Sequence, residues 1–376
     1  MADLKELRRE IDRTDSEIVR LFERRMHLVA DVAQYKIENG MQVLDSRRES
    51  EKLKTLSEGA STDFNETAVR EIFRQMMAIS RKRQYQILTE HGQGETLPFG
   101  QCDAFDFEGS RVVFQGVEGA YSFAAMRTFF GDAIDSVHVE TWREAMQMVA
   151  DGDVDYGVVP IENSTAGSVS DIYDLLADFP IYIVGEQVIP INHRLLGIPG
   201  AKKETIRTVY SHPQALAQCR AYLEAHPQWE CVPVLNTAIA AEKVADEQDP
   251  AHAAIASETA AEFYGLKVLE EGPISRKKNA TRFVILSNRC CFVRNARKIS
   301  ICFELPHQCG TLYNVLSHFI FNELNMTRIE SRPIPDKTWE YRFFIDFEGN
   351  LNDPGVQNAL FGIRAETADL RLLGSC

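Results

Sequence analysis

The chain has 376 residues, 44% of them hydrophobic, eight cysteines and a formal net charge of −14. That length predicts two or three domains. The acidic balance disfavours a nucleic-acid partner, and no apolar run is long enough to span a bilayer. The first residues, MADLKELRREIDRTDSEI, are charged and amphipathic and lack the apolar core of a signal peptide. The cysteines are scattered without a CxxC pair, and Cys290 and Cys291 are adjacent. Together these features read as a cytoplasmic chain with no disulfide framework, no metal site and no membrane partner.

Residues 4 to 88 read as all-helical. Leu4, Leu7, Ile11, Ile18, Leu21, Phe22, Leu28, Val29 and Val32 keep helical spacing until Gly40 stops the run. A second helix is expected near Ser46 to Leu56 and a third from about Glu66 to Leu88. A helix of more than thirty residues is too long to bury its stripe in so small a domain, so the stripe is expected to pack on a partner chain. HGQGETLPFGQCDAF (His91 to Phe105) lacks periodicity and reads as linker.

From Arg111 short apolar strands (RVVFQG, DYGVVP, IYIVGEQVI, TVYSH, AAIAS, TRFVILS) alternate with helical stretches such as PQALAQCRAYLEAH, an α/β pattern that suits two lobes around a cleft. From Lys298 the order becomes βαββαβ, the ferredoxin-like arrangement. The boundaries drawn are 1–90, a linker at 91–109, then 110–290 and 297–376.

Three groups of residues carry chemistry. At about 100° per residue, Arg25, Leu28, Val29, Val32 and Lys36 share one line on the first helix. The two cations stand roughly 16 Å apart along the axis, so an apolar stripe closed by positive charge at both ends can grip a small dianion. Two cations snorkelling from a core face would look the same. Arg8 lies roughly 25 Å up the axis and about 100° off the stripe, out of reach of the same ligand unless it comes from a second copy. Asp45, Arg48 and Glu49 follow the helix stop, and Ser80 and Gln84 share a face of the third helix.

In order and spacing, Arg8, Arg25, Lys36, Asp45, Arg48, Glu49, Ser80 and Gln84 resemble the active site of the all-helical chorismate mutases. The resemblance implies a three-helix, intertwined dimer. It also implies a pericyclic rearrangement with no nucleophile, metal or proton transfer. Arg8 of the partner and Arg25 would then hold the carboxylates. Lys36 and Gln84 would donate to the ether oxygen and Glu49 would take the ring hydroxyl, with Arg48, Asp45 and Ser80 in support.

In the middle region four polar loops stand at strand ends: QGVEGAYS, PIENSTAGSV, YSHPQALAQC and NATRFVILS. Thr165, Ser168 and Ser211 are candidate carboxylate holders, although helix capping explains such residues equally well. GVEGAYS is not GxGxxG, so no dinucleotide cofactor is expected.

PIENS, SHPQAL and TRF resemble prephenate dehydratase over about Arg111 to Ser287. That implies a two-lobed, periplasmic-binding-protein-like α/β fold that removes carbon dioxide and the ring hydroxyl together. Thr281 would stand near the leaving hydroxyl as donor or relay. Glu162, Asn163, Ser164, Ser211, His212, Gln214, Arg282 and Phe283 would complete the site, with His212 orienting rather than acting as the acid.

Finally, CGTLYNVL and IESRP resemble the phenylalanine site of ACT-type regulatory domains, which places effector contacts at Gly310, Thr311, Leu312, Glu330, Ser331, Arg332 and Pro333. Threonine at 311 departs from the usual Gly-Ala-Leu. The whole chain therefore resembles the bifunctional chorismate mutase–prephenate dehydratases. It implies chorismate and prephenate as substrates, L-phenylalanine as effector and a homodimer or higher homo-oligomer. A mutase fused to a prephenate dehydrogenase, or to a non-catalytic aromatic-acid sensor, is the rival reading.

Overall fold

The computed structural model describes residues 3–92, 99–271, 279–335 and 337–376. They form two compact units. One takes the described residues up to 92 together with Ile301–Arg371; the other takes Phe99–Ser300 and Leu372–Cys376.

The first unit opens with α1 (Leu4–Glu38), capped by the Asp3 carboxylate on the Lys5 amide. The helix stops where Gly40 takes a positive φ of 61°. Then come α2 (Ser46–Glu58) and α3 (Asp63–Glu90), the latter capped by the Thr62 hydroxyl on the Asn65 amide. Burial is uneven. The second half of α3 buries Met77, Tyr85, Ile87 and Leu88, whereas α1 buries only Ala33. Leu4, Leu7, Ile11, Ile18, Leu28 and Val32 are 45–60% exposed, so one chain leaves the stripe of α1 uncovered.

The C-terminal part runs strand Lys298–Leu305, helix Thr311–Phe321, strands Met326–Pro333 and Tyr341–Glu348, helix Pro354–Glu366 and strand Ala368–Ser375. Met326–Pro333 lies at the edge of this sheet, paired with Tyr341–Glu348 and followed by Lys298–Leu305 and then Ala368–Ser375. This is the expected ferredoxin-like order. Phe361 of the last helix packs on the cluster of Ala33, Val43, Tyr85, Ile87 and Leu88.

The second unit has two lobes, each with its own sheet and core. In the first, Tyr182–Pro190, Ala280–Ser287, Tyr156–Asn163, Arg111–Gln115 and Asp135–Val139 lie side by side around Phe114, Met126 and Tyr156. In the second the order is Lys267–Glu271, Arg194–Gly197, His252–Ala256, Thr208–Ser211 and Glu230–Pro233. Strands sandwiched between helices read as continuous apolar runs, which made DYGVVP and AAIAS visible in the sequence.

Two readings need correction. Part of the stretch taken as linker at 91–109, from Phe99 to Gly109, is built into the second unit. Gly100–Cys102 pairs in parallel with Cys291–Val293, and Phe105 and Phe107 pack on the first-lobe core. A three-residue strand and two isolated aromatics are too short to show a period. Residues 93–98 of that stretch lie outside the described residues. PQALAQCRAYLEAH, read as one helix, forms two, Pro213–Gln218 and Arg220–Glu224, parted at Cys219.

Candidate active sites

In the first unit a cavity of about 670 Å³ opens between α1, α2 and α3. Its walls include Arg25, Lys36, Asp45, Arg48, Glu49, Ser80 and Gln84, seven of the eight residues read from the sequence. Arg8 is not among them. The Asp45 carboxylate accepts from the Arg48 amide at 3.0 Å, so this aspartate caps α2 and sets Arg48 and Glu49 on its first turn.

Arg25 donates to the Ser80 hydroxyl and, at 3.2 Å, to the Met76 carbonyl; Lys36 donates to the Val43 carbonyl at 2.6 Å. Burial lowers the pKa of both cations. The charge of Glu49 opposes the shift at Arg25, and Asp45 and Glu49 oppose it at Lys36. Half-desolvated cations whose hydrogen bonds go to neutral oxygens favour an incoming dianion. Gln84 is buried. Its amide nitrogen bonds the Ser80 carbonyl at 3.3 Å, and its Oε1 has no partner among the described residues.

Sequence reasoning missed Arg81. Its Nη1 bonds both oxygens of Glu49, at 2.7 and 2.5 Å. The only signal was SRKRQ, three consecutive cations in the second half of α3, two of which the fold buries.

In the second unit the NATRF strand lies against PIENS, with Thr281 opposite Asn163 and Arg282 opposite Glu162. Asn163 Nδ2 donates to Thr281 Oγ1 and to Asn279 Oδ1, both at 2.9 Å. Its Oδ1 accepts from the Thr165 hydroxyl at 2.7 Å and from the Thr165 and Ala166 amides at 3.0 Å. The Ser164 hydroxyl accepts from the Ala280 amide at 3.0 Å.

Strand alternation turns Arg282 away from Thr281. Arg282 pairs instead with Glu162 at 2.8 Å and Glu186 at 3.3 Å, while Phe283 is 3% exposed in the first-lobe core. Ser211 is fully buried and donates to the Ile255 carbonyl at 2.6 Å. Gln214 is exposed, and Ser168 lies in a short strand paired with Glu162. His212 caps the next helix through Nδ1, and burial lowers its pKa, so at neutral pH its ring is neutral and presents Nε2–H. Thr281 and Asn163 thus come together, whereas Glu162, Ser211, Arg282 and Phe283 are taken up by ion pairs and core.

A second set was not legible in sequence. Tyr121 OH lies 2.9 Å from His193 Nδ1, and His193 Nε2 lies 3.3 Å from Gln218 Oε1, which also accepts from Asn279 Nδ2 at 3.3 Å. Since an amide oxygen only accepts, His193 donates through Nε2 and Tyr121 donates to Nδ1. Burial pushes His193 down to about 4, so it is neutral. The chain of bonds therefore runs from Tyr121 through His193, Gln218, Asn279 and Asn163 to Thr281.

Gly119, in QGVEGAYS, meets the second lobe directly. A Cβ there would stand 2.9 Å from Ala260 Cα, and the residue has a φ of +82°. The Ser257 hydroxyl and Tyr264 OH donate to the Gly119 and Glu118 carbonyls at 3.0 Å. This loop fastens the lobes together.

In the C-terminal part Gly310 (φ +84°) precedes the helix that begins at Thr311 and Leu312. The Thr311 hydroxyl donates to the Gln308 carbonyl at 3.0 Å, within its own turn. Glu330, Ser331, Arg332 and Pro333 lie on the edge strand, Ser331 opposite Phe343.

A helical region with a cationic cavity followed by a two-lobed α/β region is the architecture of a mutase joined to a dehydratase. Residues 7–85 match the family model described as chorismate mutase type II, and residues 112–291 match prephenate dehydratase. The curated bifunctional chorismate mutase/prephenate dehydratase of Escherichia coli K12 is 32% identical over 98% of this chain and 94% of its own length. Its namesake from Stutzerimonas stutzeri is 34% identical over 99% and 97%, and that from Aquifex aeolicus 33% over 100% and 98%. The chain belongs to the bifunctional chorismate mutase/prephenate dehydratase family and carries both activities.

Among solved structures, prephenate dehydratase from Arthrobacter aurescens in complex with L-Phe aligns with a TM-score of 0.65 and 31% identity, over 70% of this chain and 89% of that one. A chain described as GqqA, a novel type of quorum quenching acylase, aligns with a TM-score of 0.65 and 32% identity, over 70% of this chain and 97% of that one.

Proposed function

We propose that the cavity of the first unit rearranges chorismate to prephenate and that the cleft around Thr281 converts prephenate to phenylpyruvate. One observation carries the reading of the first site: Arg25 and Lys36 line one cavity with Glu49 and Gln84, and their hydrogen bonds go to neutral oxygens. A dianion there gains two cations. The pericyclic step then needs only a held conformer and donors on the ether oxygen, Lys36 and Gln84. Glu49 takes the ring hydroxyl. Arg48 supports the pocket, Ser80 braces Arg25 and Asp45 caps α2.

In the cleft, Thr281 Oγ1 already accepts from Asn163, so its own proton is free to point at the ring hydroxyl that leaves as carbon dioxide departs. Ser164, Thr165, His212 and Gln214 serve as holders and orienters beside it. Glu162, Arg282, Ser211 and Phe283 support from their ion pairs, buried bonds and core packing.

A second copy covers the stripe of α1 and brings its Arg8 to the Arg25–Lys36 cavity. The exposed apolar residues of α1 support this, as does the absence of Arg8 from the cavity. The C-terminal part is an ACT-type domain that takes L-phenylalanine between Gly310-Thr311-Leu312 of one chain and Glu330–Pro333 of another. Support comes from the related Arthrobacter aurescens structure bound to L-Phe and from the edge position of the second segment. The regions are a mutase at 1–90, a dehydratase at 110–290 that also recruits the stretch from Phe99, and a regulatory domain at 297–376. No helix among the described residues is long and apolar enough to cross a membrane. The biosynthetic relatives support work in the cytoplasm, and neither proposed step calls for a cofactor.

Mixing Arg8→Ala with Arg25→Ala protein tests the shared site. With free subunit exchange half the dimers are mixed and each holds one intact site, so mutase activity returns to roughly a quarter of wild type. No recovery despite verified exchange rejects the arrangement.

A further inference from the structure

Arg81 is 7% exposed along its side chain and stands between two carboxylates. On one side is Glu49, 27% exposed in the cavity wall; on the other is Glu366, 8% exposed at the end of the last helix. Nη1 bonds both Glu49 oxygens, and Nε bonds Glu366 Oε1 at 2.8 Å. Glu366 sits on a helix held against α3. His318 Nε2 lies 3.4 Å from the same oxygen, and the helices are locked together by the Tyr85–Phe361 edge contact and the Lys82–Ser317 hydrogen bond of 2.7 Å. All these residues belong to the first unit.

We propose that Arg81 is a positioning residue of the mutase site and that Glu366, more than 280 residues downstream, anchors it, so that the C-terminal region completes the mutase cavity of its own chain. The proposal rests on the reading that Glu49 accepts the ring hydroxyl of chorismate.

The electrostatics give Arg81 a task. Glu49 acts through its charge on Arg25 and Lys36, the cations meant for a substrate carboxylate and the ether oxygen. A free Glu49 side chain would lose the one orientation in which its oxygens meet the ring hydroxyl. One guanidinium nitrogen shared between both carboxylate oxygens holds the Glu49 head group in place and leaves its outer lone pairs for a hydroxyl donor. A guanidinium this deeply buried needs compensation beyond a half-open carboxylate, and Glu366 supplies it from the dry side. Glu366 therefore acts on chorismate only through Arg81.

The test uses the full-length protein and steady-state rearrangement of chorismate, with thermal unfolding measured in parallel. Arg81→Met should lower kcat/KM about a hundredfold and Glu366→Gln about tenfold, mainly through KM. The double variant should be no worse than Arg81→Met alone, because the two act in series. Arg81→Lys should recover part of the loss. With a chorismate analogue lacking the ring hydroxyl, the Glu366→Gln defect should shrink to less than about twofold, which a general loosening of the fold would not produce. The proposal is overturned if Glu366→Gln changes kcat/KM less than twofold, if the two single effects multiply in the double variant, or if the analogue shows the full defect. Glu49→Gln separates the two levels. If it leaves kcat/KM intact, the reading of the pocket fails and takes the proposal with it; if it cripples the enzyme while Glu366→Gln does not, only the proposal fails.

Discussion

In the helical pocket Arg25 and Lys36 hydrogen-bond to a hydroxyl and to backbone carbonyls, whereas in the cleft Thr281 stands among amides whose donors and acceptors are already matched to one another. The pocket leaves charge unspent, so its work is to bind and polarise a dianion, and little else is required of a pericyclic step. The cleft leaves one proton unspent, on the Thr281 hydroxyl, and a chain of bonds fixes everything behind it. On the proposed assignment, sites for consecutive reactions of similar substrates differ because one reaction needs a field and the other a directed proton.

The comparison breaks most visibly at Lys36. If Lys36 donates to the ether oxygen as proposed, Lys36→Ala should cut chorismate turnover by about a thousandfold while added prephenate is still converted. Burial lowers the pKa of Lys36, and catalysis needs the cation. Mutase activity of the wild type should therefore fall on the alkaline side earlier than an ordinary lysine would dictate, and Lys36→Arg should move that limb upward. A Lys36→Ala enzyme with near-normal mutase rate would remove the field from the account.

A smaller effect concerns the neutral chain in the cleft. Burial pushes His193 from 6.5 down to about 4. A histidine with a depressed folded-state value favours the neutral form. It costs nothing above pH 6.5, and stability is lost as pH falls from 6.5 toward 4, by roughly 3 kcal/mol in all. Denaturant midpoints of wild type and His193→Gln across that window should converge as the pH drops; parallel curves would show that His193 does not contribute.

The smallest effect is regulatory. Ser331→Ala should weaken inhibition of the dehydratase by phenylalanine about tenfold, with uninhibited turnover unchanged. Calorimetry on the full chain checks it, and no phenylalanine binding at millimolar ligand would remove the regulatory reading, with Thr311 the first residue to examine.

What was legible in the sequence followed from local periods. The α1 stripe, the apolar strands and the βαββαβ order repeat at the spacing of their own backbones, and six of the seven pocket residues lie on three helices, with Asp45 capping the second. Arg81 was hidden because its neighbours Lys82 and Arg83 are also cationic, and only its partners across space distinguish it. Tyr121, His193, Gln218 and Asn279 were hidden because their order exists only once two lobes meet. Motif adjacency also misled. In TRF, neighbouring letters point to opposite faces of a strand, so Arg282 joins an ion pair while Thr281 meets Asn163.

Two separate sites on one chain, each able to work without the other, are the centre of this account. Thr281→Ala protein incubated with chorismate, with all three organic acids followed over time, tests that directly. Chorismate should disappear at the wild-type rate and prephenate should accumulate in equal amount, with phenylpyruvate formation reduced by about a hundredfold or more. Phenylpyruvate appearing at a near-normal rate, or chorismate consumption stalling together with it, would contradict the account.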